Sequence, residues 1–272
     1  KPAQAVDIWS KHAKSFGLGQ FMGYDLPTGR RGSIPDSKTY KRVYPNGGWR
    51  STTIVSNSIG QGEILMTPIQ LANMMATIAN EGYYYTPHII KRIEGHKIDK
   101  KFTTKHVTTI DKKYFKPIIS GLFDVYNLGT ARSLRVEGID ICGKTGTSEN
   151  FAKIGGKKVQ LKDHSIFVAF APKDNPKIAI AVMVENGGYG ATIAGPIASL
   201  MIEKYLRQKI TRIDLEKRIL ATSLQSEYAI FGGLSETVKL QMRISDSLLK
   251  KKTFIPTVKV KIDSTKENKK AI

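Results

Sequence analysis

Apolar and polar positions follow two rhythms along this chain. Residues 3–16 place Ala5, Ile8, Trp9, His12, Ala13 and Phe16 at helical spacing, and the run stops at "GLG". The stretch "TPIQLANMMATIANEG" (67–82) predicts a stronger helix. Thr67 stands as N-cap and Pro68 in the first turn, the apolar face carries Ile69, Leu71, Ala72, Met75 and Ile78, and Gly82 is the stop. A further helix is predicted over 111–127 from Phe115, Ile118, Ile119, Leu122, Phe123 and Tyr126. The rhythm then shortens. Strands are predicted over 138–147, 164–171 ("HSIFVAFA") and 178–185 ("IAIAVMVE"), and the turn signals "PKDNP" between the last two suit an antiparallel hairpin. A last helix over 193–206 would cover one face of that sheet. The pattern predicts an α+β fold, an antiparallel sheet flanked by helices.

Two segments lack such periodicity. Residues 17–62 are rich in glycine and proline, and a loop-rich stretch of that length is either functional or held by neighbouring structure. Beyond residue 207 short amphipathic pieces mix with lysine runs. The expected organisation is a folded domain over 1–207 and a basic tail over 208–272, partly disordered at its lysine-rich end.

Composition adds less. The 272 residues suffice for one large domain or two small ones, and 40% hydrophobic residues is ordinary for a globular chain. The net charge of +20 is not ordinary. It points to nucleic acid, an anionic membrane surface or an acidic substrate, and its even spread selects none of them. One cysteine, Cys142, rules out an intrachain disulfide. No apolar run approaches the roughly 20 residues that span a bilayer, and the opening residues are not expected to be a signal peptide. The opening "KPAQAVDIW" lacks an initiator methionine and reads as part of something longer. His88, His96 and His106 lack ligand-like spacing, so neither a metal site nor a cofactor is expected.

The densest candidate chemistry is "DICGKTGTSEN" (140–150). Lys144 lies on the strand face opposite Ile139 and Ile141, with glycines on either side of the Lys144–Thr145 pair. Gly143 and Gly146 would let another backbone approach. The ammonium group is a point charge for a carboxylate, and Thr145 and Thr147 add hydroxyl and amide donors. An extended peptide with an acidic end could dock there like an added strand. Taken alone, the tripeptide Lys-Thr-Gly is more simply a glycine-rich strand with a solvated lysine.

The longer context is more specific. "GKTGTSEN", preceded in order by "FGLGQFMGYDLPTGRRGSIP" and "SIGQGEILMTPIQLANMMATIANEG" and followed by "DHSIFVAFAP", resembles the transpeptidase domain of penicillin-binding proteins. Within it the likeness is to class B enzymes of the cell-elongation type, over about residues 1–207. The resemblance implies the penicillin-binding, serine β-lactamase-like fold, in part. It also implies that Lys144, Thr145 and Gly146 form the family's third active-site motif, with Lys144 and the Thr145 hydroxyl holding the carboxylate of substrate or β-lactam. Thr147 would supply an oxyanion-hole N–H through its backbone, and the Thr147 and Ser148 side chains would add substrate contacts. "SIGQG" (58–62) reads as structural.

The family's nucleophile, Ser-x-x-Lys, and its Ser-x-Asn lie upstream of everything quoted. Two formal matches are set aside. Ser247 to Lys250 lies in the basic tail, and Ser148 to Asn150 belongs to the Lys-Thr-Gly strand and its turn. The chain alone is therefore not expected to acylate. The intact enzyme implied is a peptidoglycan D,D-transpeptidase. It would attack the penultimate D-alanyl carbonyl of a stem peptide, form an acyl-enzyme, release D-alanine and pass the acyl group to a neighbouring stem's amine. β-Lactams would acylate the same serine. The implied place is the outer, periplasmic face of the bacterial inner membrane, with membrane-bound elongation machinery as partner; the fragment itself would be soluble. A division-type transpeptidase or serine β-lactamase of the same fold, or a non-catalytic β-lactam- or wall-binding module, remain alternatives. Nucleic acid is not expected, since no binding motif accompanies the charge. Where the family often carries a glutamate near "DLPTGRRG", this chain has Gly29 flanked by Arg30 and Arg31.

The remaining candidates read as structural. Cys142 is expected to be a small buried residue on a core strand. His164 should make a packing contact or a loop hydrogen bond, and Tyr83, Tyr84 and Tyr85 should wedge a helix exit into the core.

Overall fold

The computed structural model describes residues 1–231 apart from 27 and 155. Residues 1–222 form one compact unit, and the short 3-10 turn Gln225–Phe231 belongs to a second unit that begins at Ser223. The helices of the first unit are α1 (Pro2–Lys14), α2 (Ser37–Val43), α3 (Pro68–Ala79), α4 (Lys100–Thr103), α5 (Phe115–Asn127), α6 (Ala194–Arg207) and α7 (Ile213–Ala221). Its strands are β1 (Tyr83–Tyr85), β2 (Lys105–Val107), β3 (Cys142–Ser148), β4 (Phe151–Ile154), β5 (Lys157–Gln160), β6 (His164–Ala171) and β7 (Ile178–Val184).

The central sheet is antiparallel, in the order β3-β6-β7. Its two faces bury different clusters, because side chains alternate along each strand. On one side Cys142, Val168 and Phe170 pack with Met75 of α3, backed by Leu71, Ile119 and Leu122 from α3 and α5. On the other, Ile141, Phe167, Ala169 and Ile180 pack with Ala194, Ala198 and Ile202 of α6. This is the expected α+β arrangement of a helix-covered antiparallel sheet. Two further antiparallel pairs stand apart from it, β1 with β2 and the hairpin of β4 with β5.

The first strand is shorter than the pattern predicts. Gly138 adopts a positive φ of +66°, and Val136 pairs with Ile139 in an isolated bridge, so residues 136–139 turn and the strand starts at Cys142. The α3 face also differs from expectation. Ile69 is 40% exposed, whereas Gln70, Asn73 and Thr77 are buried. Their role is to hold the irregular segment before them. Gln70 Nε2 donates to the carbonyls of Gln20 (2.8 Å) and Arg31 (2.9 Å), and Asn73 Nδ2 donates to Phe16 O (3.0 Å). Gln70 Oε1 meanwhile accepts from Thr67 N (3.0 Å), closing a capping box at the α3 N-terminus. Loop backbone that would otherwise be buried without partners is thus satisfied by polar side chains of a helix.

The segment 17–62 is not one continuous loop. It contains α2, capped by Asp36 on Thr39 N (2.9 Å), and a 3-10 helix over Ser51–Ile59. Buried Tyr40 ties them together: its hydroxyl donates to Glu63 Oε2 (2.7 Å) and accepts from Asn57 Nδ2 (2.9 Å). Burial and the neighbouring Glu63 carboxylate push the Tyr40 phenol up to about 12. The "SIGQG" stretch closes that 3-10 helix, with Gly60 as its C-cap and Gly60 and Gly62 in left-handed conformations.

The compact unit also runs past 207, the boundary expected from composition. Glu203 of α6 is fully buried and accepts from Arg212 Nε (3.0 Å) and from Thr211 N (2.9 Å) and Oγ1, which docks the chain leading into α7. The lysine-rich end of the expected tail, with Ser247 to Lys250, lies outside the described residues.

Candidate functional site

Lys144, Thr145, Gly146, Thr147 and Ser148 all lie on β3, the outer strand of the central sheet. Their order follows from the register: Lys144 opposite Val168, Thr145 opposite Phe167, Gly146 opposite Ile166, Thr147 opposite Ser165, Ser148 opposite His164. Among the described residues no strand pairs with the other edge of β3. That edge is therefore free to receive an extended chain.

Alternation splits the candidates between two sides. Lys144 and Ser148 share the parity of Cys142 and so the side of α3 and α5, while Thr145 and Thr147 share the side of Phe167 and α6. Lys144 and Thr147 are exposed, Thr145, Gly146 and Ser148 half-buried. The Lys144 ammonium curls back to donate to Thr145 O (2.8 Å), and among the described residues no carboxylate pairs with it. An unneutralised cation beside two threonines on an open strand edge can bind an anion without first breaking an ion pair. Among the described residues the Thr145 hydroxyl has one hydrogen-bond partner, the Thr130 hydroxyl at 2.9 Å.

The glycines answer to packing within the protein rather than to an incoming backbone. A Cβ on Gly143 would stand 2.8 Å from Phe167 Cζ, and one on Gly146 would stand 3.2 Å from Ile166 Cβ. Gly190, in the loop after β7, presses on the same place. A Cβ there would lie 2.3 Å from Ile166 O and 2.6 Å from Gly146 O. This loop is pinned by buried Ser165, whose hydroxyl donates to Tyr189 O (2.9 Å) and accepts from Ala194 N (3.1 Å). Neither the Gly190 buttress nor Thr130 stands out in the sequence; both come close to β3 only through the chain's turns.

The side chains read as structural behave so. Cys142 is fully buried with its thiol 3.6 Å from Ile119 O, and burial pushes it up to about 12. His164 Nδ1 accepts from Asn186 N (3.2 Å), the loop hydrogen bond expected of it. Asn150 Nδ2 donates to Asn186 Oδ1 (2.6 Å), which makes the Ser148-to-Asn150 stretch a turn support. The three tyrosines are not a helix exit but strand β1, of which Tyr84 alone is buried, stacked on His106 at 4.9 Å. Gly29 packs against Tyr24, and the nearby Asp25 carboxylate accepts from Ile89 N (2.8 Å) and Ile90 N (2.7 Å). Among the described residues no group of three His, Cys, Asp or Glu could hold a metal ion, and no helix is long and apolar enough to cross a membrane. An apolar groove of about 510 Å³ is lined by Ile197, Met201 and Tyr205 of α6 and Ile219 and Leu220 of α7, with no residue from β3. Chemistry, not concavity, singles out β3.

The family model for the penicillin binding protein transpeptidase domain matches residues 5–203. The peptidoglycan D,D-transpeptidase MrdA of Acinetobacter baumannii is 34% identical over 203 residues, which are 70% of this chain and 30% of that protein. The crystal structure of Pseudomonas aeruginosa PBP2 in complex with WCK 5153 aligns with a TM-score of 0.62 and 29% identity over 76% of this chain and 44% of its own. PBP2 of Helicobacter pylori, solved as a complex with MreC, aligns with a TM-score of 0.60 and 28% identity over 74% of this chain and 36% of its own. The chain spans about a third of the length of the curated relatives it matches. With the family model running from within α1 to within α6, the chain belongs to the penicillin-binding protein transpeptidase domain family.

Proposed function

We propose that this chain is the C-terminal portion of the transpeptidase domain of a peptidoglycan D,D-transpeptidase, and that β3 is the wall that grips the acyl donor. The observation that carries this reading is Lys144: an exposed ammonium on an open strand edge, unpaired with any carboxylate among the described residues. A stem peptide or β-lactam would lie along β3 with its carboxylate held by Lys144 and the Thr145 hydroxyl, reached from either side of the edge. The Thr147 N–H would stabilise the oxyanion as the tetrahedral intermediate forms, and the Thr147 hydroxyl and Ser148 would add contacts. The serine nucleophile and its base are contributed by polypeptide outside this sequence. Attack on the penultimate D-alanyl carbonyl then gives an acyl-enzyme and free D-alanine, and an amine of a second stem takes the acyl group. In this reading the protein works at the periplasmic face of the inner membrane, and an MreC-like protein, as in the Helicobacter neighbour, is a candidate partner.

The test is acylation of the full-length protein by a fluorescent penicillin. Wild type is expected to label, and Lys144→Ala to label about 10- to 100-fold more slowly, the worth of one hydrogen bond to a charged group. Equal rates for the two proteins overturn the assigned role of β3, and absence of labelling in folded wild type overturns the function.

A further inference from the structure

Thr130 lies outside β3, in the turn between α5 and the 3-10 turn Arg132–Leu134, yet its hydroxyl stands 2.9 Å from that of Thr145. The turn holding it is rigid. Leu128 N and Gly129 N donate to Asp124 O (2.7 and 3.0 Å), and Ala131 N donates to Val125 O (3.2 Å). Ala131 and Leu134, which follow Thr130, are buried. The Leu134 carbonyl is fixed twice, by the hydroxyl of buried Tyr126 and by Arg212 Nη1 (3.1 Å). A Cβ on Gly129 would meet Val125 Cα at 2.8 Å, so the turn sits tightly on the end of α5. Thr130 thus presents one polar group from a fixed backbone to one polar group of β3.

We infer that Thr130 is a positioning residue: it orients the Thr145 hydroxyl toward the carboxylate that β3 receives. The inference rests on the reading of β3 proposed above. A threonine hydroxyl has one proton to donate and two lone pairs that accept. To bind a carboxylate, Thr145 must donate to it, which leaves its oxygen free to accept from Thr130. Thr130 then donates to Thr145 and Thr145 to the carboxylate, a chain in which each bond polarises the next. Thr130 touches no reacting atom in this arrangement. It stops the Thr145 rotor from spending its proton elsewhere.

The experiment compares full-length wild type, Thr130→Val and Thr130→Ser in their second-order rates of acylation by a penicillin with a free carboxylate and by its neutral methyl ester. Valine keeps the shape and deletes the hydroxyl; serine keeps the hydroxyl. The expected result is a loss of about 2- to 10-fold for Thr130→Val with the acid, the range of one neutral hydrogen bond. The ester rate should change by less than about twofold, and Thr130→Ser should restore the acid rate. An unchanged acid rate in Thr130→Val overturns the inference alone. So does an equal slowing of acid and ester that serine does not rescue, since that is loosened packing rather than orientation. Wild type that neither penicillin acylates overturns the reading of β3 and this inference with it.

Discussion

Gly143 and Cys142 are neighbours on β3 with unlike reasons for being small. Gly143 has the Phe167 ring where its Cβ would be, and Cys142 fills a closed pocket between α3, α5 and the sheet. The reading of Cys142 as core and of His164 as a packing or loop contact was legible from the sequence, because Cys142 falls within a predicted strand and His164 opens one. The role of the glycines was not, since the ring that excludes a side chain at 143 belongs to a residue 24 positions later in the sequence. With its thiol buried and pushed up to about 12, Cys142 supplies almost no reachable thiolate near neutrality. A thiol reagent at pH 8 is expected to leave the native protein unmodified for as long as it takes to modify the denatured protein completely. Equal rates in the two states would refute the burial.

At the scale of elements, long periodic helices declared themselves and short or polar-faced pieces did not. The strand spans 164–171 and 178–185 and the helix 193–206 are reproduced to within a residue. By contrast α2 and the β4–β5 hairpin are short and lack a repeating apolar face, so periodicity carries no signal for them, and α7 showed only as a short amphipathic piece of the expected tail. On α3 the helical pattern was visible, but the inward-facing Gln70 and Asn73 look like surface residues until the loop carbonyls they serve are known. The buttress behind β3 gives the prediction at this level. Gly190→Ala places a methyl 2.3 Å from Ile166 O and 2.6 Å from Gly146 O, so the loop or the strand must move. We expect a loss of about 1–3 kcal/mol in denaturant unfolding, the usual cost of overpacking, together with slower acylation of the full-length protein. Unchanged stability would mean that the loop yields without disturbing β3.

For the whole molecule, Glu203 links α6 to the segment entering α7. Burial alone would raise its carboxyl, but hydrogen bonds from Thr211 and Arg212 outweigh that and hold it below the ordinary glutamate value of 4.5. A carboxylate lowered by folding stabilises the native state fully above the unfolded value and loses that contribution as pH falls through the folded value. Stability should therefore decline below about pH 4.5, and Glu203→Gln should flatten that part of the curve. Arg212→Met, which leaves the buried carboxylate only Thr211 and the longer contact to Arg207 Nη1 (3.8 Å), is expected to cost about 1–3 kcal/mol by urea unfolding at pH 7. A cost near zero would show that the compact unit does not depend on the segment beyond α6.

What the sequence determined by itself was the set of strong elements, the helix-covered antiparallel sheet and the family, because apolar periodicity and ordered local motifs are carried by consecutive residues. The tertiary structure decided which residues meet across distance: Thr130 at Thr145, Gly190 behind Gly146, Glu203 with Arg212, and Lys144 on an edge left open. Contacts of that kind depend on the paths of turns and on strand order, and neither leaves a periodic trace in a single chain.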